Sequence, residues 1–286
     1  YAEENGIEFG RQSEYADVDP EFGARIADAY TEMEHNPQDP AVKEAYDNLI
    51  KQTKAQYEAL VADGYTFFLF DETNDPYEGN PWASMRDIRA NKRMGVFATE
   101  AGYGSGDTDI DVVDNPMLAD TGITWDMGGE QKRVLANDLF RAVHDVFGHG
   151  IEGAGFRARG EENAWQAHVR LFTGSAQAAI TTETRGQNSW LNYGPHGETN
   201  RTAGLFDTVF ADQKTGLMPS WTWTENIVAD QDALTKPDST GRNEDGVLVS
   251  LPVKNGMTDV VHFSGKKGLE VLDPEFYGNK GAGAER

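Results

Sequence analysis

Apolar positions recur at helical spacing early in the chain. Phe22, Ile26, Ala29, Tyr30 and Met33 predict an amphipathic helix over 20–35. Val42, Ala45, Leu49, Tyr57, Leu60 and Val61 predict a second over 41–62, ended by Asp63-Gly64. The aromatic run 65–70 reads as a short strand, followed by a loop over 71–82. A short helix over 84–91 and a strand over 94–99 come next, then a Gly- and Asp-rich loop over 102–114. Its alternating Asp107, Asp109 and Asp111 lack the glycine and terminal glutamate of a calcium-binding loop, so a surface loop is expected.

The stripe Val134, Leu135, Leu139, Phe140, Val143 and Phe147 predicts one buried helix over 130–147, ended by Gly148 and Gly150. Residues 161–184 read as one long helix, or two meeting near Gly174. Beyond Gln187 loops prevail, with short strands expected over 246–253 and 260–263. The expected class is mainly α with short β-strands (α+β), a helical core around a metal site and a loop-rich C-terminal third. The organisation reads as an N-terminal arm and helix over 1–40, a helical metal-binding core over 41–224 and a loop-rich extension over 225–286.

Composition narrows the chemistry. The 286 residues contain no cysteine, which excludes disulfides, thiolate metal sites and Cys nucleophiles. A metal must then be held by His, Asp, Glu or backbone oxygen. A formal net charge of -23 opposes nucleic-acid phosphates and fits a solvated acidic surface, so no nucleic-acid partner is expected. No apolar run approaches a membrane span, so no membrane partner is expected either.

The chemistry concentrates at His144 and His149, which flank Asp145-Val146-Phe147-Gly148. A five-residue offset on an ideal helix turns two side chains about 140° apart. The glycines offer a remedy, since an unwound last turn can swing His149 back toward His144. Glu183, beside the apolar run 176–180, is costly unless paired or metal-bound, and is the expected third ligand. Its alternative is an ion pair with an arginine such as Arg185. Two histidines and a carboxylate suit non-haem iron(II), with open positions for O₂ and substrate; zinc hydrolases use the same donors. His168 is a candidate fourth ligand or a partner of a ligand. Glu162 is a candidate to orient an imidazole, and Asp145 or Glu162 a candidate general base. Arg185, Gln187, Asn188 and Trp190 form a polar–aromatic cluster suited to walling a small polar or anionic substrate, with Arg185 as the charged anchor.

The hexad His144 to His149 resembles the His-acid-x-x-Gly-His motif of the pterin-dependent aromatic amino acid hydroxylases. The segments 164–176 and 178–186 resemble the two helices that follow it there, the second carrying the glutamate ligand, with Glu183 at that position. The resemblance spans about 60 residues, with a shorter interval between the second histidine and the glutamate. It implies Fe(II) and hydroxylase-like chemistry; no segment matches the family's pterin- or amino-acid-binding stretches, so pterin lacks sequence support. Val260-Val261-His262-Phe263-Ser264, with Leu269, Leu272-Asp273-Pro274 and Gly278, resembles a module of large phage polyvalent proteins. Residues 210–214 and 217–219 resemble phage segments too. That resemblance implies a piece of a larger viral polypeptide, located in the host cytoplasm or in the virion, where the metal would serve an interaction module structurally.

Overall fold

The computed structural model describes residues 1–7, 15–102, 114–202 and 207–224, together with the pairs 253–254 and 257–258. The fold is α+β. Helices α1 (Pro20–Glu32) and α2 (Pro40–Ala62) precede strand β1 (Thr66–Phe70), helix α3 (Pro81–Asn91), strand β2 (Arg93–Phe97) and the single turn α4 (Thr99–Gly102). Strands β3 (Asp120–Met127) and β4 (Glu130–Leu135) lead into α5 (Ala136–His144). The chain continues through a π-turn (Asp145–Gly150), α6 (Ala158–Val169), α7 (Ala176–Thr181), a second π-turn (Thr182–Gly186) and α8 (Gln187–Tyr193). The short α9 (Gly197–Asn200) and α10 (Trp221–Thr224) follow, and β5 (Val253–Lys254) pairs antiparallel with β6 (Met257–Thr258).

The first three helices begin alike. Asp19, Asp39 and Asn80 accept from backbone N–H groups of the first turn, and Pro20, Pro40 and Pro81 supply a preset φ where no N–H partner is needed. Strands order as β2-β1-β3-β4, with β1 parallel to both neighbours and β3 antiparallel to β4. Helix α3 is the crossover between β1 and β2.

The helix expected over 130–147 is therefore corrected. Its first six residues are strand β4, and only 136–144 are α-helical. Gly128 and Gly129, at φ 62° and 93°, make the two-residue turn that pairs Met127 with Glu130. Backbone pairing to β3 overrides the helical reading of Val134 and Leu135. The expected helices over 20–35, 41–62 and 84–91 and the strands over 65–70 and 94–99 appear within a few residues. The long helix over 161–184 appears as α6 and α7, divided at Gly174, φ 63°. The loop over 103–113, the strand over 260–263 and nearly all of that over 246–253 lie outside the described residues.

Two apolar clusters meet at α5. Leu139, Val143 and Val146 pack with the sheet residues Leu69, Val96 and Trp125. Phe140 joins Tyr46, Leu49, Trp165, Phe172 and Ile180 on the other side. Helix α1 packs on α8, with Phe22, Ile26, Tyr30 and Met218 forming a third cluster. No helix among the described residues is long and apolar enough to cross a membrane.

Candidate metal centre

The π-turn brings the two histidines together. Its backbone bonds run between residues five apart, as from Ile151 N–H to Val146 O at 2.9 Å. Residues at that offset, such as His144 and His149, are thereby stacked along the axis instead of diverging. Their ring centroids lie 5.4 Å apart, nearly perpendicular at 88°. This corrects the expected route: the helix end does not fray but widens.

Gly148 and Gly150 serve close packing, not a left-handed bend. A Cβ on Gly150 would lie 2.4 Å from Ile88 Cγ2, and one on Gly148 would lie 3.0 Å from Ala164 O. Arg89 donates to the Gly150 carbonyl at 3.0 Å and so satisfies an acceptor at the end of the turn. Helices α3 and α6 thus clamp the widened turn from both sides.

The third donor comes from α6. His144, His149 and Glu161 each offer a ligand atom, and all these atoms lie within 4.8 Å of one another. Among the described residues this is the grouping able to hold a metal ion. The donors fit one: two imidazoles and a carboxylate, with no thiolate, suit iron(II) or zinc equally. His149 Nε2 lies 3.4 Å from Glu161 Oε2, and its Nδ1 lies 3.1 Å from the Ala154 carbonyl, to which it donates. Phe156 stacks on the His149 ring at 4.3 Å. Both histidines are buried, whereas the Glu161 side chain is 28% exposed, which makes it the solvent side of the site.

Charge is tightly constrained here. Burial, with His168 and His149 nearby, pushes His144 well below its usual pKa of 6.5. Burial would lower His149 as well, but facing Glu161 outweighs it and holds the ring's pKa up to about 9. Burial raises the Asp145 carboxyl to about 6, against the pull of His149 and Arg141. His168, fully buried, is pushed down to about 3; its Nδ1 lies 3.0 Å from His144 Nδ1 and its Nε2 lies 2.8 Å from Gln56 Oε1.

The other expected site residues lie elsewhere, and several expectations are corrected. Glu183, expected as the third ligand, instead accepts from the Tyr46 hydroxyl at 2.5 Å and from Gln187 at 3.1 Å, and burial raises it to about 7. Arg185, expected to anchor substrate, is 2% exposed and forks onto Glu162 through Nε at 3.0 Å and Nη2 at 2.7 Å. It also donates to Thr222 O and lies 3.9 Å over the Trp165 ring. Glu162, expected to orient an imidazole or act as base, is consumed in that pair and by Gln166. Asn188 bonds Asn192 and Ala158 O, and Trp190 packs on the α1 cluster beside His196. Gln187, Asn188 and Trp190 are thus each engaged in contacts within the fold. Of the expected set, His144, His149 and Asp145 meet at the centre, and His168 stands behind His144 as its partner, outside the donor grouping.

Sequence reasoning missed Glu161: the ligand role went to Glu183, and the neighbouring Glu162 was singled out only to orient an imidazole or act as base. The signal was present: Glu161, Ala164 and His168 are spaced i, i+3, i+7 and share one face of α6. Ala164 on that face touches Gly148, so the face meets the π-turn. Glu162, about 100° away, points to Arg185. A cavity of about 630 Å³ lies apart from the centre, between α1 and residues 216–221, with Arg25, Asp28, Glu32 and Trp221 in its wall. No protein-family model, curated protein or solved structure matches this chain.

Proposed function

We propose that this chain is a mononuclear non-haem metal enzyme, with His144, His149 and Glu161 as protein ligands and iron(II) as the working metal. The observation that carries the reading is convergence of the three donor atoms within 4.8 Å on a π-turn clamped by two helices. Two histidines and one carboxylate leave coordination positions for small molecules, and bound iron(II) would supply O₂-dependent oxidation there. The chain's own residues do the rest. The Ala154 carbonyl orients His149, Phe156 covers its ring, and the apolar wall of Phe140 and Phe147 excludes water from the inner side. A small polar substrate would approach past Glu161, the partly exposed ligand. With Arg185 engaged by Glu162, recognition of that substrate falls to other groups at this opening.

A zinc hydrolase is the second reading, favoured by one observation. Asp145 adjoins His144 and carries a carboxyl raised to about 6, suited to accepting a proton beside the ligands. Metal analysis of protein purified without added metal separates the two. The expected result is iron bound by the wild type and absent from His149→Ala. Zinc in its place supports the hydrolase. A chain that takes up neither metal, and melts identically as His149→Ala with either metal added, rejects both.

A further inference from the structure

This inference rests on the metal reading above. We infer that His168 and Gln56 are positioning residues that fix which nitrogen of His144 faces the metal. The direction of the chain of hydrogen bonds is set at its far end. Gln56 Nε2 donates to the Leu171 carbonyl at 3.2 Å, so the amide oxygen is turned to His168 Nε2 at 2.8 Å. An amide oxygen only accepts, so His168 carries its proton on Nε2 and presents a bare Nδ1. His144 Nδ1, 3.0 Å from that atom, must then be the donor. The lone pair of His144 is thereby confined to Nε2, which leaves that nitrogen as the one able to bind a metal.

His149 is ordered by the same logic, since its Nδ1 donates to the Ala154 carbonyl. One imidazole is set by a backbone acceptor and the other by a side-chain relay from α2 through α6 to α5. Gln56 and His168 are 0% exposed, and the His168 ring lies against Phe140, Phe147 and Phe172. Polar groups so enclosed are costly unless every bond is made, which holds the relay to one arrangement. Metal-bound histidines usually donate their second N–H to an acceptor, and an imidazole in that role is fixed only if something behind it sets its own tautomer. Gln56 is that element.

The test is cobalt(II) titration of the full chain, following visible ligand-field bands, with wild type, His168→Phe, His168→Asn and Gln56→Met. His168→Phe should weaken cobalt binding about 10- to 100-fold and shift the bands. His168→Asn, whose amide oxygen can accept where Nδ1 did, should recover most of the affinity and the wild-type spectrum. Gln56→Met keeps His168 but frees its tautomer, and should weaken binding even if the phenylalanine variant does not fold. A merely structural role would leave the cobalt spectrum of the folded variants unchanged. Wild-type affinity and spectrum in Gln56→Met overturn the relay while leaving the metal site standing. A wild type that binds no cobalt overturns the metal reading, and this inference with it.

Discussion

His149 and Glu161 face each other at 3.4 Å, the histidine fully buried and the carboxylate at the solvent edge. Without metal a proton holds this pair together, and the histidine retains it up to about pH 9. A metal must displace that proton, whereas His144, pushed well below 6.5, has none to give. Near neutral pH, metal binding should release about one proton per ion. Calorimetric zinc titrations in buffers of different ionisation enthalpy read this directly, and a value near zero would contradict the assignment.

The same pair makes a stability prediction for the metal-free chain. The folded pKa of His149 is raised, so its contribution is fully present below the unfolded value of 6.5 and is lost as pH rises through about 9. The stability difference between wild type and Glu161→Gln should therefore shrink across that alkaline window. His144 and His168 carry the opposite sign. Their folded pKa values are depressed, so stability falls as pH drops below 6.5 and the unfolded chain takes up protons. Chemical denaturation at several pH values checks both limbs.

Glu161 and Glu183 can be told apart by paired substitutions. Glu161→Gln should reduce metal affinity by more than the roughly 10- to 100-fold typical of residues behind the ligands. Glu183→Gln should leave metal stoichiometry unchanged, because that carboxyl is held by Tyr46 and Gln187. The reverse pattern, measured by equilibrium dialysis, would restore the position implied by the hydroxylase resemblance.

Gly150→Ala tests the clamp on the π-turn. The new methyl would lie against Ile88, and overpacking of this kind costs about 1–3 kcal/mol. Adding Ile88→Ala should remove part of the clash, so the double variant should be less destabilised than the sum of the singles. Strict additivity in urea melts would show that the two residues do not press on each other.

Arg185→Met should destabilise the fold by about 3–5 kcal/mol, since it strands the buried Glu162. Metal binding by the protein that still folds should be unaffected. The combined Arg185→Met and Glu162→Leu variant should recover much of the loss, read by thermal melts. A large selective loss of metal in Arg185→Met would return this arginine to the site.

The turn between β3 and β4 shows how a readable signal was outweighed. Residues 120–127 and 130–135 flank Gly128-Gly129, a two-residue hairpin signature, yet Val134 and Leu135 also extend the helical stripe of α5. Local period alone does not settle a segment whose apolar residues fit both patterns. Pairing with β3 settles it.

From the sequence alone followed the α1, α2 and α3 helices to within a few residues, the cysteine-free donor chemistry and the pairing of His144 with His149. These are local: periodicity and residue type act within a few positions of each other. Which acid comes within reach of the two histidines was decided by tertiary packing. Glu161, Glu162 and Glu183 are alike as sequence, and each is assigned by what its helix face meets: the widened turn, Arg185 or Tyr46. The π-turn itself is held by contacts from Ile88, Arg89 and Ala164, residues distant in the chain, so no local pattern specifies it.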